Sequence, residues 1–190
     1  GERLGAAPRA NSGRGVSYWQ DDSGNGRIIV VTPGYQMVAL DPHSGQQIEG
    51  FGEGGVVDLM GQHRSRDGID MVGSVGASSP ATVAGDVLVV GSAHHIGMRP
   101  PSKTNTPGDI RGYDAQSGEL LWTFKTIPEP GEFGVDTWEN ESWSYTGNAA
   151  AWAPIAYDPE SGFVYVPTEA ATGDYYGGHR HGNNLFSTSL

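Results

Sequence analysis

The amino-acid sequence predicts an all-β protein made of short antiparallel strands. Thirty glycines and twelve prolines are distributed along its 190 residues, and both residue types interrupt helices and favour tight turns. The apolar residues between them form short runs without the 3.6-residue period of a long helix. One hairpin-like segment, 38–51, also recurs at 111–124, which is 73 residues later. Such a repeat predicts that the same kind of sheet is built more than once.

The individual strands are predicted from apolar runs of four to six residues, each bounded by Gly, Pro, Asp or Asn. Runs of this length are typical of β-strands. They lie at 14–19, 27–31, 35–40, 81–84, 86–90, 109–114, 120–124, 152–157 and 163–168. Their close spacing predicts a meander, in which consecutive strands pair.

The turns between the runs carry a motif of their own, D-x-x-S-G. It occurs at Asp41–Gly45, Asp114–Gly118 and Asp158–Gly162, each time between two apolar runs. An aspartate at the start of such a turn accepts hydrogen bonds from the backbone N–H groups of the turn, and glycine adopts the positive φ that closes a hairpin. The motif therefore predicts three hairpins.

The longer repeat predicts two complete sheets and half of a third. The third D-x-x-S-G motif follows the second after only 44 residues, so it corresponds to the first hairpin of a unit, 78–91, and not to the second. On this division the units cover 14–52, 78–126 and, as a half unit, 150–190. Four-stranded antiparallel sheets that repeat in this way are the blades of a β-propeller. A β-sandwich is the main alternative, but it does not explain why the same hairpin segment recurs 73 residues later.

Charge and composition exclude several classes of function. The net charge of −11 excludes nucleic acid as a partner, because binding to phosphates requires clustered Lys and Arg. The absence of cysteine excludes disulfides and thiolate metal sites. No apolar run reaches the roughly 18 residues of a membrane-spanning helix. The first 13 residues lack the apolar core of a signal peptide, and we expect the sequence to be an internal fragment of a longer protein.

Several motifs together resemble one enzyme family. The stretch 111–122 fits the pattern A-x-D-x-x-x-G-x-x-x-W at Asp114, Gly118 and Trp122, with Gly112 in place of the first alanine. The segments 78–80, 130–143, 152–158 and 174–186 resemble, in the same order, segments of the PQQ (pyrroloquinoline quinone)-dependent dehydrogenases, especially the membrane-associated glucose and quinate dehydrogenase branch. This resemblance implies a fragment of an eight-bladed propeller, with about two and a half blades.

The resemblance also implies a function. The parent enzyme would be a periplasmic oxidoreductase that oxidises a sugar, a polyol or another alcohol with PQQ and passes the electrons to a quinone or a cytochrome. The aspartate that acts as catalytic base in the family lies beyond the segments present here, so we expect these residues to be inactive alone. A non-enzymatic propeller scaffold that binds other proteins is the alternative. Uncovered blade faces and strand edges further predict self-association.

Three residues are candidates for binding the cofactor. Trp152 matches the tryptophan that forms the floor under the PQQ ring, and a large aromatic face suits a planar quinone. Arg14 matches the arginine that contacts the quinone oxygens, to which a guanidinium can donate two hydrogen bonds. Ser78, next to Ser79, matches the position that binds a carboxylate of the cofactor with a hydroxyl.

The resemblance further implies a Ca²⁺ or Mg²⁺ ion, but the usual ligands are replaced. His94 and His95 lie where relatives have an acidic ligand, and Ala170 lies where methanol-type relatives have asparagine. Hard cations prefer oxygen ligands, so Glu169, beside Ala170, is one remaining candidate and His95 is the other. We expect the two histidines to contact substrate or to be solvated. The acidic loop 129–141 is expected to be a solvated connection between blades.

Overall fold

The fold consists mainly of antiparallel strands, which confirms the predicted all-β class. The computed structural model describes residues 2–11, 15–95 and 102–190. Within these ranges the helices are short: α1 covers Glu2–Ala6, and two 3₁₀ helices cover Val135–Thr137 and Glu139–Ser144. In the same part of the chain, none of the helices is long and apolar enough to cross a membrane.

The first sheet is a four-stranded antiparallel meander in the described part of the chain. Its strands follow one another in chain order as β1 (Ser17–Gln20), β2 (Gly26–Val31), β3 (Gln36–Leu40) and β4 (Val56–Asp58). Alternation of buried and more exposed residues, for example along β3, places one face of the sheet in the core.

The outer strand of this sheet ends later than the sequence suggests. The predicted unit 14–52 contains β1 to β3, whereas β4 begins at Val56. A single bridge between Leu40 and Gln47 starts the pairing, and the segment 50–55, with four glycines, then interrupts it. Three of these glycines have positive φ, a conformation that leaves the strand.

The second sheet has the order β10-β9-β7-β6. Its strands are β6 (Thr82–Ala84), β7 (Val87–Val90), β9 (Ile110–Asp114) and β10 (Leu120–Phe124). Two very short strands, β5 (Val75–Gly76) and β8 (Ala93–His94), pair with each other beside it. The last hairpin joins β11 (Ala156–Asp158) to β12 (Phe163–Tyr165).

The D-x-x-S-G turns have the predicted hydrogen bonds. In the second turn, Asp114 Oδ1 accepts bonds from Gln116 N at 3.0 Å, Ser117 N at 2.6 Å and Ser117 Oγ at 2.8 Å. The first turn repeats these contacts, and the third has close equivalents. The closing glycines have φ between 70° and 77°. All three hairpins are confirmed.

The two large sheets pack on each other through specific contacts as well as apolar side chains. Trp19 Nε1 donates to Asp86 Oδ1 at 3.1 Å, and Gly52 N donates to the Ser117 carbonyl at 2.7 Å. Buried side chains of both sheets share one core, including Ile29, Met37, Phe51, Leu88 and Tyr113. Two turns of the second sheet, at Asp86 and at Ser117, are therefore part of its interface with the first sheet.

The acidic loop 129–141 is more than a solvated connection. Its carboxylates do lie at the surface, where Glu129 and Glu132 both accept hydrogen bonds from Lys125 Nζ. Trp138, however, is buried in a second small core with Ile127, Ala149 and Ala171. The loop thus packs against the backbone at Ala149 and Ala171 through Trp138.

Candidate cofactor-binding site

Trp152 lies between the second sheet and the last hairpin, and two hydroxyls hold its backbone. Ser78 Oγ and Ser79 Oγ both donate to the Trp152 carbonyl, at 2.8 and 2.7 Å. These serines directly precede Pro80 and β6, so they tie the start of the second sheet to the residue that precedes β11. The structure brings Trp152 and Ser78 together. The role of each in binding a cofactor stays a prediction.

A guanidinium lies on the face of the Trp152 indole. The Cζ atom of Arg9 is 4.6 Å from the ring centroid, which is the arrangement of a cation–π contact. Arg9 is not among the residues predicted from the sequence, because a residue in a loop-like N-terminal segment gives no local signal of a contact 143 positions away. The half-buried indole therefore carries a flat cationic group on one face.

Arg14, the third predicted cofactor residue, lies outside the described residues. Nothing in the structure tests its assignment, and it stays a prediction.

Glu169 has an unusual environment for a carboxylate. Its Oε1 atom is inaccessible to water and has no hydrogen-bond partner among the described residues. Burial, together with the charge of Asp174, raises the pKa of this carboxyl to about 8. The Arg9 charge and hydrogen bonds from the Ala150 backbone and the Asn148 side chain lower the pKa in part. At neutral pH the group is therefore mainly protonated unless a cation lies beside it.

Asn148 organises the backbone near Glu169. Its Oδ1 accepts from Asn105 Nδ2 and, at 3.3 Å, from Thr172 Oγ1, while its Nδ2 donates to the His95 carbonyl at 3.1 Å. Its φ of 55° is left-handed, a conformation that asparagine tolerates better than most residues. The sequence offers only a weak signal for this role, an asparagine after a glycine.

His94 does not have the predicted role, because it is buried with 1% exposure. Its Nε2 lies 3.0 Å from Ser92 Oγ and its Nδ1 lies 3.1 Å from Thr106 Oγ1. Burial lowers its pKa to about 3, so the ring is neutral. The expectation that His94 is solvated or contacts substrate is wrong, since strand β8 turns its side chain into the interior.

The described residues provide few of the ligands that a hard cation needs. No group of three His, Cys, Asp or Glu side chains suited to a metal ion occurs among them. Ca²⁺ takes six to eight oxygen ligands. Of the two predicted candidates, Glu169 has a carboxylate oxygen available, whereas His95 contributes its backbone carbonyl to Asn148. Both metal assignments stay predictions.

Proteins of known function resemble this chain over most of its length. The glycerol dehydrogenase large subunit of Gluconobacter oxydans (strain 621H) is 33% identical over 92% of the chain, and quinoprotein glucose dehydrogenase A of Acinetobacter calcoaceticus is 31% identical over 81%. The quinate/shikimate dehydrogenase (quinone) of Acinetobacter baylyi is 27% identical over 86%. The chain spans only 18–23% of the length of these relatives.

Solved structures agree on the fold. A europium-containing methanol dehydrogenase superposes with a TM-score of 0.69 at 20% identity, covering 97% of this chain and 30% of its own. The quinohemoprotein alcohol dehydrogenase from Comamonas testosteroni also superposes with a TM-score of 0.69, at 17% identity, covering 97% of this chain and 26% of its own.

The family itself is shown by a match over residues 2–190 to the family model described as PQQ: glucose/ethanol/alcohol dehydrogenase, beta-propeller domain. The match includes both large sheets, the last hairpin and the segment around Trp152. The chain therefore belongs to the β-propeller family of the PQQ-dependent glucose, ethanol and alcohol dehydrogenases.

Proposed function

We propose that this chain is part of a PQQ-dependent oxidoreductase that oxidises a sugar, a polyol or another alcohol. Family membership over residues 2–190 supports this reaction class. Relatives named for glycerol, glucose and quinate or shikimate support the range of substrates. The electrons pass to a quinone or a cytochrome and the protein acts in the periplasm, as the resemblance to the family implies.

The observation that carries the proposal is the stacked face of Trp152. The Arg9 guanidinium lies over the indole, 4.6 Å from the ring centroid, which supports a role of this face in holding a planar group. Polarised planar rings stack well on such a face. Trp152 would hold the flat ring of PQQ, which supplies the two-electron oxidant when it is bound.

Two other residues complete the proposed cofactor site. Ser78 is adjacent to Trp152, and its hydroxyl can turn toward a carboxylate of the ligand because Ser79 keeps the Trp152 carbonyl hydrogen-bonded. Arg14 would donate two hydrogen bonds to the quinone oxygens. Its assignment follows from the resemblance alone.

Glu169 is the proposed ligand for a Ca²⁺ or Mg²⁺ ion. Its buried Oε1, without a hydrogen-bond partner in the described ranges, suits a hard cation, which would replace the proton on the carboxyl. His95 is the second candidate, although its imidazole suits these ions less well than an oxygen ligand.

Self-association is also part of the proposal. The outer strand β10 and the last hairpin leave large apolar side chains exposed, among them Trp122, Phe124, Phe163 and Tyr165. An apolar groove of about 540 Å³ lies between strand β10 and the last hairpin. Exposed apolar patches of this kind favour association.

Equilibrium dialysis with PQQ tests the proposed cofactor site. The Trp152→Leu variant should lose at least tenfold in affinity for PQQ, because a stacking contact with a large ring is removed. Trp122→Leu is the matched control, since Trp122 is a half-exposed tryptophan on strand β10, and its affinity should equal that of the wild type.

The same titration decides between the two functions. Absence of PQQ binding by the wild type would favour the protein-binding scaffold. Equal affinities of the wild type and Trp152→Leu would show that PQQ binds elsewhere.

A further inference from the structure

We infer that Arg9 is a removable cover on the Trp152 indole and that, when a planar anionic ligand stacks on this ring, the Arg9 side chain forms the second face of the site. The inference rests on the proposed function. It assigns a ligand-positioning role to a residue that the sequence analysis did not select.

The geometry of the contact requires the cover to move. Stacked aromatic groups have centroids roughly 4.5–7 Å apart, and the Arg9 guanidinium is 4.6 Å from the Trp152 ring. The guanidinium thus takes the place of a stacked ring, and no second plane fits between the two. A planar ligand that stacks on this same face of Trp152 must lift the Arg9 side chain.

The N-terminal segment brings Arg9 to this position. Arg3 pairs with Asp58 of β4 through two hydrogen bonds, at 2.7 and 3.2 Å. Pro8 packs closely on Gly76, where an added Cβ would lie 3.2 Å from Pro8 Cδ. The backbone before Arg9 is therefore held against the first sheet and strand β5.

The chemistry of Arg9 suits the second face of an anionic aromatic ligand. A guanidinium is flat, stays charged and can both stack on a ring and donate paired hydrogen bonds to a carboxylate. A ligand that carries carboxylates on a planar ring can use both properties of this side chain.

Acrylamide quenching tests whether Arg9 covers the indole. The chain has five tryptophans, so the signal of Trp152 is taken as the difference between each protein and the same protein with Trp152→Phe. Arg9→Ala should raise the quenching constant of Trp152 about twofold or more. Arg27→Ala is the matched control, because Arg27 lies over a different indole, that of Trp19, at 5.6 Å. An unchanged quenching constant of Trp152 in Arg9→Ala would overturn the cover.

Equilibrium dialysis with PQQ tests the second face. Arg9→Ala should weaken PQQ binding about tenfold, because a desolvated cation–π contact is lost. The affinity of Arg9→Lys should lie between those of the wild type and Arg9→Ala, because lysine keeps the positive charge but lacks the planar guanidinium. Equal or tighter binding by Arg9→Ala would overturn the second face while leaving the proposed function intact. No binding by the wild type would overturn the proposed function and the second face together, and the quenching result would still decide the cover.

Discussion

Single residues in the interior differ widely in how well their polar atoms are satisfied. His94 is bonded on both ring nitrogens, whereas neither nitrogen of His63 has a hydrogen-bond partner of normal geometry within the described ranges. His63 is only 7% exposed, and its ring packs against Tyr35 at 5.6 Å and His94 at 5.8 Å. It therefore behaves as an aromatic packing residue.

The pKa of His63 is lowered well below 6.5 by burial, with further lowering by the charges of Arg111 and Arg64. The Pro107 carbonyl offsets this only in part. The folded protein thus keeps the ring neutral at pH values at which the unfolded chain takes up a proton. Linkage then makes the free energy of unfolding fall as the pH falls below about 6.5.

The His63→Phe variant should remove the part of this pH dependence that His63 contributes, whereas the part contributed by His94, whose pKa burial also lowers, should remain. Between pH 7.5 and 5.0, one such histidine costs the folded state about 2 kcal/mol, and phenylalanine neither titrates nor leaves ring nitrogens unpaired. Urea unfolding at the two pH values measures the difference. His43→Phe, in the exposed turn after β3, is the control and should show the same difference in unfolding free energy between the two pH values as the wild type. If His63→Phe also shows the wild-type difference, the pH dependence does not come from His63.

At the scale of elements, each hairpin depends on a local turn and on how its outer strand packs. The D-x-x-S-G turns of both large sheets have nearly the same hydrogen bonds, yet the strands that follow them differ. In the second sheet, Trp122 lies directly over the backbone of Gly112. The first sheet has Glu49 at the corresponding position and continues into a glycine-rich interruption. The outer strand that carries the large side chain therefore pairs with β9 along Leu120–Phe124, with one register shift between Leu120 and Trp122.

The Gly112→Ala variant tests this packing between β9 and β10. An added Cβ would lie 2.1 Å from Trp122 Cε2, so the indole has to shift, and overpacking of this kind costs about 1–3 kcal/mol. Gly50→Ala is the control, because an added Cβ there meets nothing within 4 Å. Chemical denaturation should show a lower free energy of unfolding for Gly112→Ala and an unchanged one for Gly50→Ala. Unchanged stability of Gly112→Ala would mean that the indole moves without cost.

At the scale of the whole molecule, the interface between the two large sheets differs from the surface beside β10 and the last hairpin. The first and second sheets share one continuous core, whereas β10 and the last hairpin border the apolar groove of about 540 Å³. Phe186 fills part of this groove and contacts Phe124 with ring centroids 4.9 Å apart. Strand β12 pairs with β11 on one side, and Phe163 on it is 65% exposed.

These surfaces predict concentration-dependent self-association. Sedimentation over a roughly hundredfold concentration range should show oligomers, because apolar grooves and open strand edges recruit a second copy. Phe124→Glu, which places a charge in the groove, should shift the distribution toward monomer. Leu121→Glu on the same strand is the control, since Leu121 is exposed but does not line the groove. An ideal monomer of the wild type throughout would contradict the prediction.

The sequence by itself determined the hairpins, the mainly-β class and the family. Turns such as Asp114–Gly118 form from contacts within five residues, and the alternating and repeated patterns record local conformational preferences. Only the tertiary structure decided that Arg9 lies on Trp152, that Ser78 bonds to the Trp152 carbonyl and that His94 is buried. The first two contacts join residues more than 70 positions apart. These contacts depend on how distant sheets and segments pack on each other, which local sequence patterns do not encode. The burial of a polar side chain such as His94 where segments meet likewise leaves no periodic pattern in the sequence.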